Sequence, residues 1–133
     1  MKKIGLFLLL TVLSIGYVAA QGGLNKTPKA KFEKTVHDFG KIAEEIGQAS
    51  CTFDFMNTGT APLIINKVQT SCGCTTPSYT KEPILPGQKG EIKVAYNTTN
   101  RVGSFEKSIT ILTNVPDTTF RLTIKGEVLP RKR

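Results

Sequence analysis

The sequence has no tryptophan, a single histidine (His37) and three cysteines among 133 residues. Each shortage excludes something. Without Trp, the Cys…Trp…Cys core of antibody domains cannot be built. With one His, a hydrolase triad around Ser71, Ser78 or Ser104 has no adequate partner set. A structural zinc site wants four ligands, and the chain holds only that His and the three Cys. The ten acidic residues stand singly, so no carboxylate pair for glycoside hydrolysis can be argued. Gly87-Gln88-Lys89-Gly90 lacks the spacing of a phosphate loop and reads as a turn.

Helical periodicity is also missing. Beyond the N-terminus, no segment of ten or more residues repeats its apolar positions at helical spacing. The net charge is +8, yet the basic residues are scattered among acidic ones and only Arg131-Lys132-Arg133 clusters. With no recognition helix and no aromatic-basic stacking surface, no nucleic-acid partner is expected.

What is present begins with an export signal. Lys2 and Lys3 are followed by an apolar run from Ile4 to Ile15 and by Val18-Ala19-Ala20. The run is shorter than the roughly 20 residues of a comfortable membrane span, and small residues follow it directly. Residues 1–20 therefore read as a signal peptide cleaved between Ala20 and Gln21. No Cys follows the run, so a lipoprotein anchor is not expected. The expected protein is exported, to the periplasm or beyond, with no stable membrane anchor after cleavage. Residues 21–31 read as a flexible lead-in, 32–129 as one domain and 130–133 as a basic tail.

The domain alternates with period two between turns. Lys31–Phe39 is a first candidate strand, ended by Gly40. In Ser50–Met56, Cys51, Phe53 and Phe55 share one face. Asn57-Thr58-Gly59 then turns the chain into an apolar run, Leu63–Val68, suited to a buried strand; if it pairs back on Ser50–Met56, Cys51 lies where the chain leaves towards Cys72. Pro83–Lys89 is extended or turning, with Pro86 and Gly87 as punctuation. Glu91–Tyr96, Phe105–Thr113 and the alternation of Phe120, Leu122 and Ile124 supply further strands, with Gly126 near the end. About seven short strands in roughly 100 residues predict an all-β, immunoglobulin-like antiparallel sandwich.

The order of motifs carries a resemblance. It runs His37-Asp38-Phe39-Gly40-Lys41-Ile42, Phe53-x-Phe55-x-Asn57-Thr58-Gly59, Pro62-Leu63-x-Ile65-x-x-Val68 and Ser71-Cys72-Gly73-Cys74-Thr75. It continues with Ile84-x-Pro86-Gly87-x-x-Gly90-x-Ile92-x-Val94-x-Tyr96, Gly103-x-Phe105-x-Lys107 and Gly126-Glu127-Val128. This resembles the bacterial DUF1573 family over about His37 to Val128. The resemblance implies an exported protein of immunoglobulin-like fold, of a type abundant in the Bacteroidetes, and implies no particular activity. It leaves Cys51 outside its pattern.

Three cysteines are an odd number for an oxidising compartment. A Cys72–Cys74 bridge across Gly73 closes so small a loop that it removes little entropy from the unfolded chain, which favours easy reduction and redox exchange. Two thiolates on a loop also suit Cu or Zn, with Cys51 or His37 as a third ligand. A bridge from Cys51 to Cys72 or Cys74 would be the better staple, and Cys51 could equally be a small core hydrophobe beside Phe53 and Phe55. Asn57, Gly59, Pro86, Gly87, Gly90 and Gly126 read as structural positions. The resulting expectation is a non-enzymatic module without a cofactor that binds or scaffolds an envelope protein. The alternative is thiol-disulfide or soft-metal handling at Cys72 and Cys74.

Overall fold

A computed structural model describes residues 25–133. The expected signal peptide, the Ala20–Gln21 junction and the start of the lead-in lie outside the described residues.

Period-two alternation is realised in eight strands. They are β1 (Ala30–Phe32), β2 (Val36–Ala43), β3 (Gln48–Asn57), β4 (Ile65–Thr70), β5 (Thr75–Tyr79), β6 (Lys89–Asn97), β7 (Gly103–Thr113) and β8 (Thr119–Leu129). One sheet has the order β1-β3-β6-β5 and the other β2-β8-β7-β4. The first matches the A-B-E-D sheet of an immunoglobulin domain, and β4, β7 and β8 match C, F and G.

The inward faces make one core. In β3, Cys51, Phe53 and Phe55 are buried while Ser50, Thr52 and Asp54 face outward. Their partners in β6 are Val94, Ile92 and Gly90. Ile109, Ile111, Leu122 and Ile124 from the other sheet are fully buried against them. Burying each such side chain contributes about 1.5–3 kcal/mol. Aromatic contacts tie the layers: Tyr96 of β6 stacks on Phe105 of β7 at 3.9 Å between centroids, and Phe32 of β1 meets Phe120 of β8 at 5.4 Å.

Several expectations are corrected. The single strand expected over Lys31–Phe39 is two strands in different sheets. Glu33 N–H still bonds Asp54 O of β3, while Thr35 O already accepts from Thr123 N–H of β8. The chain changes layers within those three residues. Gly40 does not end β2. It sits at φ +64° in a bulge where Asp38 Oδ1 accepts its N–H at 2.8 Å, and pairing resumes at Lys41. That β2–β8 pairing is parallel, in an otherwise antiparallel fold.

The hairpin considered between Ser50–Met56 and Leu63–Val68 does not form. β3 pairs with β6 and β1, whereas β4 pairs with β7 in the opposite sheet. Asn57–Ala61 is a crossover between layers, and β4 is an edge strand rather than a buried one. Thr75–Tyr79, which the sequence did not mark as a strand, is the other edge strand on that side. Part of the lead-in is fastened as well: Thr27 O accepts from Thr60 N–H and Ala61 N–H, and Lys29 O from Thr58 N–H.

Candidate functional site

Ser71–Cys74 connects β4 in one sheet to β5 in the other, so both candidate cysteines lie where the chain passes between layers. Cys72 and Cys74 are joined to each other, with their Cα atoms 5.2 Å apart. Cys74 is buried at 3 % exposure and Cys72 is half-buried. The N–H of Cys74 donates to Cys72 Sγ at 3.0 Å, and Cys74 Sγ lies 3.7 Å from Thr75 Oγ1.

Backbone and hydroxyl groups hold this crossover as well. Cys72 O accepts from Thr75 N–H at 3.2 Å and from Thr70 Oγ1 at 3.1 Å. Cys74 O accepts from Asn97 N–H at 2.9 Å, and Ser71 N–H bonds Ser108 O at 3.3 Å. A three-residue disulfide loop adds little to such a frame, under about 2 kcal/mol on the chain-entropy scale against ~3 for a 15-residue loop. The hydroxyls of Thr70 and Thr75 are the neighbours that sequence reading missed. Their places flanking Ser71-Cys72-Gly73-Cys74 were the available signal.

Of the pairings the sequence left open, the one from Cys51 to Cys72 or Cys74 is not made. Cys51 is opposite Val94, whereas Cys74 is level with Asn97 on the far side of β6. Two strand spacings and three residues of rise separate them by roughly 14 Å. Cys51 is a free thiol in the core cluster with Phe53 and Phe55, and burial pushes its pKa up to about 11. His37 is not brought to the pair either. It belongs to β2, at the edge of its sheet opposite β4, three strand spacings or roughly 14 Å away. Its Nδ1 accepts from Lys34 Nζ at 2.8 Å and its ring meets Phe39 edge-on. Partial burial and then the Lys34 charge hold its pKa below the ordinary value. The described residues contain no cluster of three His, Cys, Asp or Glu groups able to hold a metal ion. A third ligand from Cys51 or His37 is therefore not within reach of the Cys72–Cys74 pair. The Lys81 ammonium lies 3.6 Å above the Tyr79 ring.

Asn57 is fully buried. Its Oδ1 accepts from Gly59 N–H and Lys29 N–H, and its Nδ2 donates to Ala61 O and Ile84 O. Gly87 N–H donates to Asn57 O, and Gln88 N–H donates to Leu85 O. Pro86 and Gly87, at φ +81°, fill the two central positions of that turn, where the second requires a positive φ. Gly90 lies under the Phe55 ring and Gly126 under Phe105, so each sheet carries one cross-strand aromatic–glycine pair.

Solved structures share this architecture. A protein of unknown function from Porphyromonas gingivalis W83 is 22% identical, with a TM-score of 0.66 over 77% of this chain and 47% of that one. The VesB protease of Vibrio cholerae is 14% identical, with a TM-score of 0.57 over 78% of this chain and 32% of the protease. A family 123 glycoside hydrolase from Clostridium perfringens is 12% identical, with a TM-score of 0.57 over 80% and 28%. The chain thus spans about half or less of the length of these proteins, and the likeness is one of fold. No curated protein matches it. A family profile described as protein of unknown function matches residues 30–128. The chain belongs to that family, DUF1573.

Proposed function

We propose that the chain is an exported binding module that engages an envelope protein by adding a strand of that partner to its β4 edge. The observation carrying this reading is the contrast between the two edge strands on one side of the sandwich. Thr80 N–H bonds Glu91 O and Asn97 N–H bonds Cys74 O, so the even-numbered residues of β5 face β6. Thr75, Pro77 and Tyr79 therefore point their backbone outward. Thr75 N–H is taken by Cys72 O, and Pro77 has no N–H to offer. Of the outward N–H groups on that edge only that of Tyr79 is left for a pairing strand.

On β4 the Ser71–Ser108 bond sets the opposite phase, with Val68 and Thr70 directed outward. Among the described residues, their backbone N–H and C=O groups have no partner. An extended peptide could bond there through its main chain, with side-chain contacts setting specificity. Export, through the expected signal peptide, belongs to the same proposal.

The test is affinity capture from an envelope extract with the native chain and with Val68→Pro, followed by amide exchange on the recovered complex. Recovery lost in Val68→Pro, with slowed exchange at Val68 and Thr70, supports the reading. Equal recovery by a folded Val68→Pro overturns it.

A further inference from the structure

We propose that Cys72 and Cys74 form a thiol–disulfide exchange site for a cysteine dithiol of another protein, with Cys72 as the entering sulfur and Cys74 as the resolving one. This goes beyond the binding reading and is independent of the β4 edge.

The first argument is redundancy. Four hydrogen bonds already hold Thr70–Thr75 in place: Thr75 N–H to Cys72 O, the Thr70 hydroxyl to Cys72 O or Thr75 O, Asn97 N–H to Cys74 O, and Ser71 N–H to Ser108 O. None of them needs the sulfur–sulfur bond. The bridge can open and close without the sandwich losing its crossover, so both oxidation states keep the same frame.

The second is asymmetry. Cys74 is buried, while Cys72 is half-buried and accessible to a partner sulfur. A β-carbon at Gly73 would meet nothing within 4 Å, so the loop is open on that side. The Cys74 N–H directed at Cys72 Sγ favours negative charge on the more accessible sulfur, the one an exchange site needs as its thiolate.

The chemistry balances as follows. A thiolate of the partner attacks Cys72 Sγ, forming a mixed disulfide, and the electron pair of the Cys72–Cys74 bond leaves on Cys74 Sγ, which takes a proton from solvent. The partner's second thiolate attacks its own sulfur in the mixed disulfide and releases Cys72 as a thiolate accepting the Cys74 N–H. The partner dithiol is oxidised by two electrons and the Cys72–Cys74 pair is reduced. The reverse sequence reduces a partner disulfide, with Cys72 attacking and Cys74 resolving. Cys51, buried and roughly 14 Å from Cys74, takes no part.

The experiment equilibrates the full chain with graded ratios of reduced to oxidised glutathione, quenches with acid, and maps alkylated peptides by mass while circular dichroism follows the fold. Half-reduction is expected at a ratio at least ~10-fold less reducing than a structural disulfide needs, which is about 30 mV, with an unchanged spectrum. In quenched native protein the glutathione adduct falls on Cys72, and Cys74→Ser accumulates it at least ~10-fold more than Cys72→Ser. A bridge that stays oxidised until the fold melts overturns the proposal. Equal capture of glutathione at the two positions overturns the assignment of roles, and the native-protein map decides this even where a variant does not fold.

Discussion

The side-chain amide of Asn57 donates to the carbonyl of Ile84 at 2.9 Å, across 27 residues of sequence and in a fully buried position. The same nitrogen donates to Ala61 O, and the amide oxygen accepts from Gly59 and Lys29. One side chain thereby satisfies the backbone of the lead-in, the crossover after β3 and the segment before β6. Both amide hydrogens and both lone pairs are used, which is what permits burial of so polar a group.

Asn57→Ala strands those buried groups without partners. Each unpaired buried donor or acceptor costs about 1–3 kcal/mol, with partial relief from water. A loss of about 2–4 kcal/mol is expected in urea unfolding. Asn57→Asp, which keeps the acceptor and loses both donors, should also fall well below the native chain.

Two glycines should respond in opposite ways. A β-carbon at Gly59 would collide with the backbone of Thr27, Pro28 and Lys29, whereas one at Gly73 meets open space. Gly59→Ala should cost about 1–3 kcal/mol or more by overpacking. Gly73→Ala should stay within about 0.5 kcal/mol of the native chain. Chemical denaturation of the two variants side by side checks this.

Burial raises the Cys51 thiol from 9.0 to about 11 in the folded chain. The folded state therefore disfavours the thiolate, and this contribution to stability is fully present below pH 9 and is lost as pH rises towards 11. The native chain should lose more stability over that window than Cys51→Ala does. Native alkylation at pH 8 should leave Cys51 unmodified and unfolding should expose it.

The His37 pKa is lowered by partial burial and by Lys34. A depressed folded value means that the folded chain prefers the neutral ring. The associated stability is present above pH 6.5 and declines as pH falls through the folded value. Lys34→Ala should raise the His37 pKa in an NMR titration, and an unchanged midpoint would remove the Lys34–His37 contact from the account.

Much of the fold was legible because a strand's inward face is written at period two. Phe53 and Phe55 alternate with Thr52 and Asp54, and Ile92, Val94 and Tyr96 with Glu91, Lys93 and Ala95, whatever the partner strand. What misled was the assumption that neighbours in sequence pair in space. Asn57-Thr58-Gly59 looks like a hairpin turn, yet Asn57 uses its side chain to hold a crossover between sheets. Thr75–Tyr79 contains Pro77, which argues against a strand until its outward position on an edge is known.

The candidate site divides in the same way. That Cys72 and Cys74 are separated by one residue, and can meet across Gly73, is a property of the chain alone. That Cys51 is held apart from them is not, because distance across a sheet depends on which strands lie between. The sequence by itself determined the alternation, the aromatic core and the local cysteine pair, since each depends on residues a few positions apart. Tertiary structure alone decided which sheet each strand joins, which edge stays open and which of the two bridged sulfurs is buried, since those follow from contacts between residues far apart in the chain.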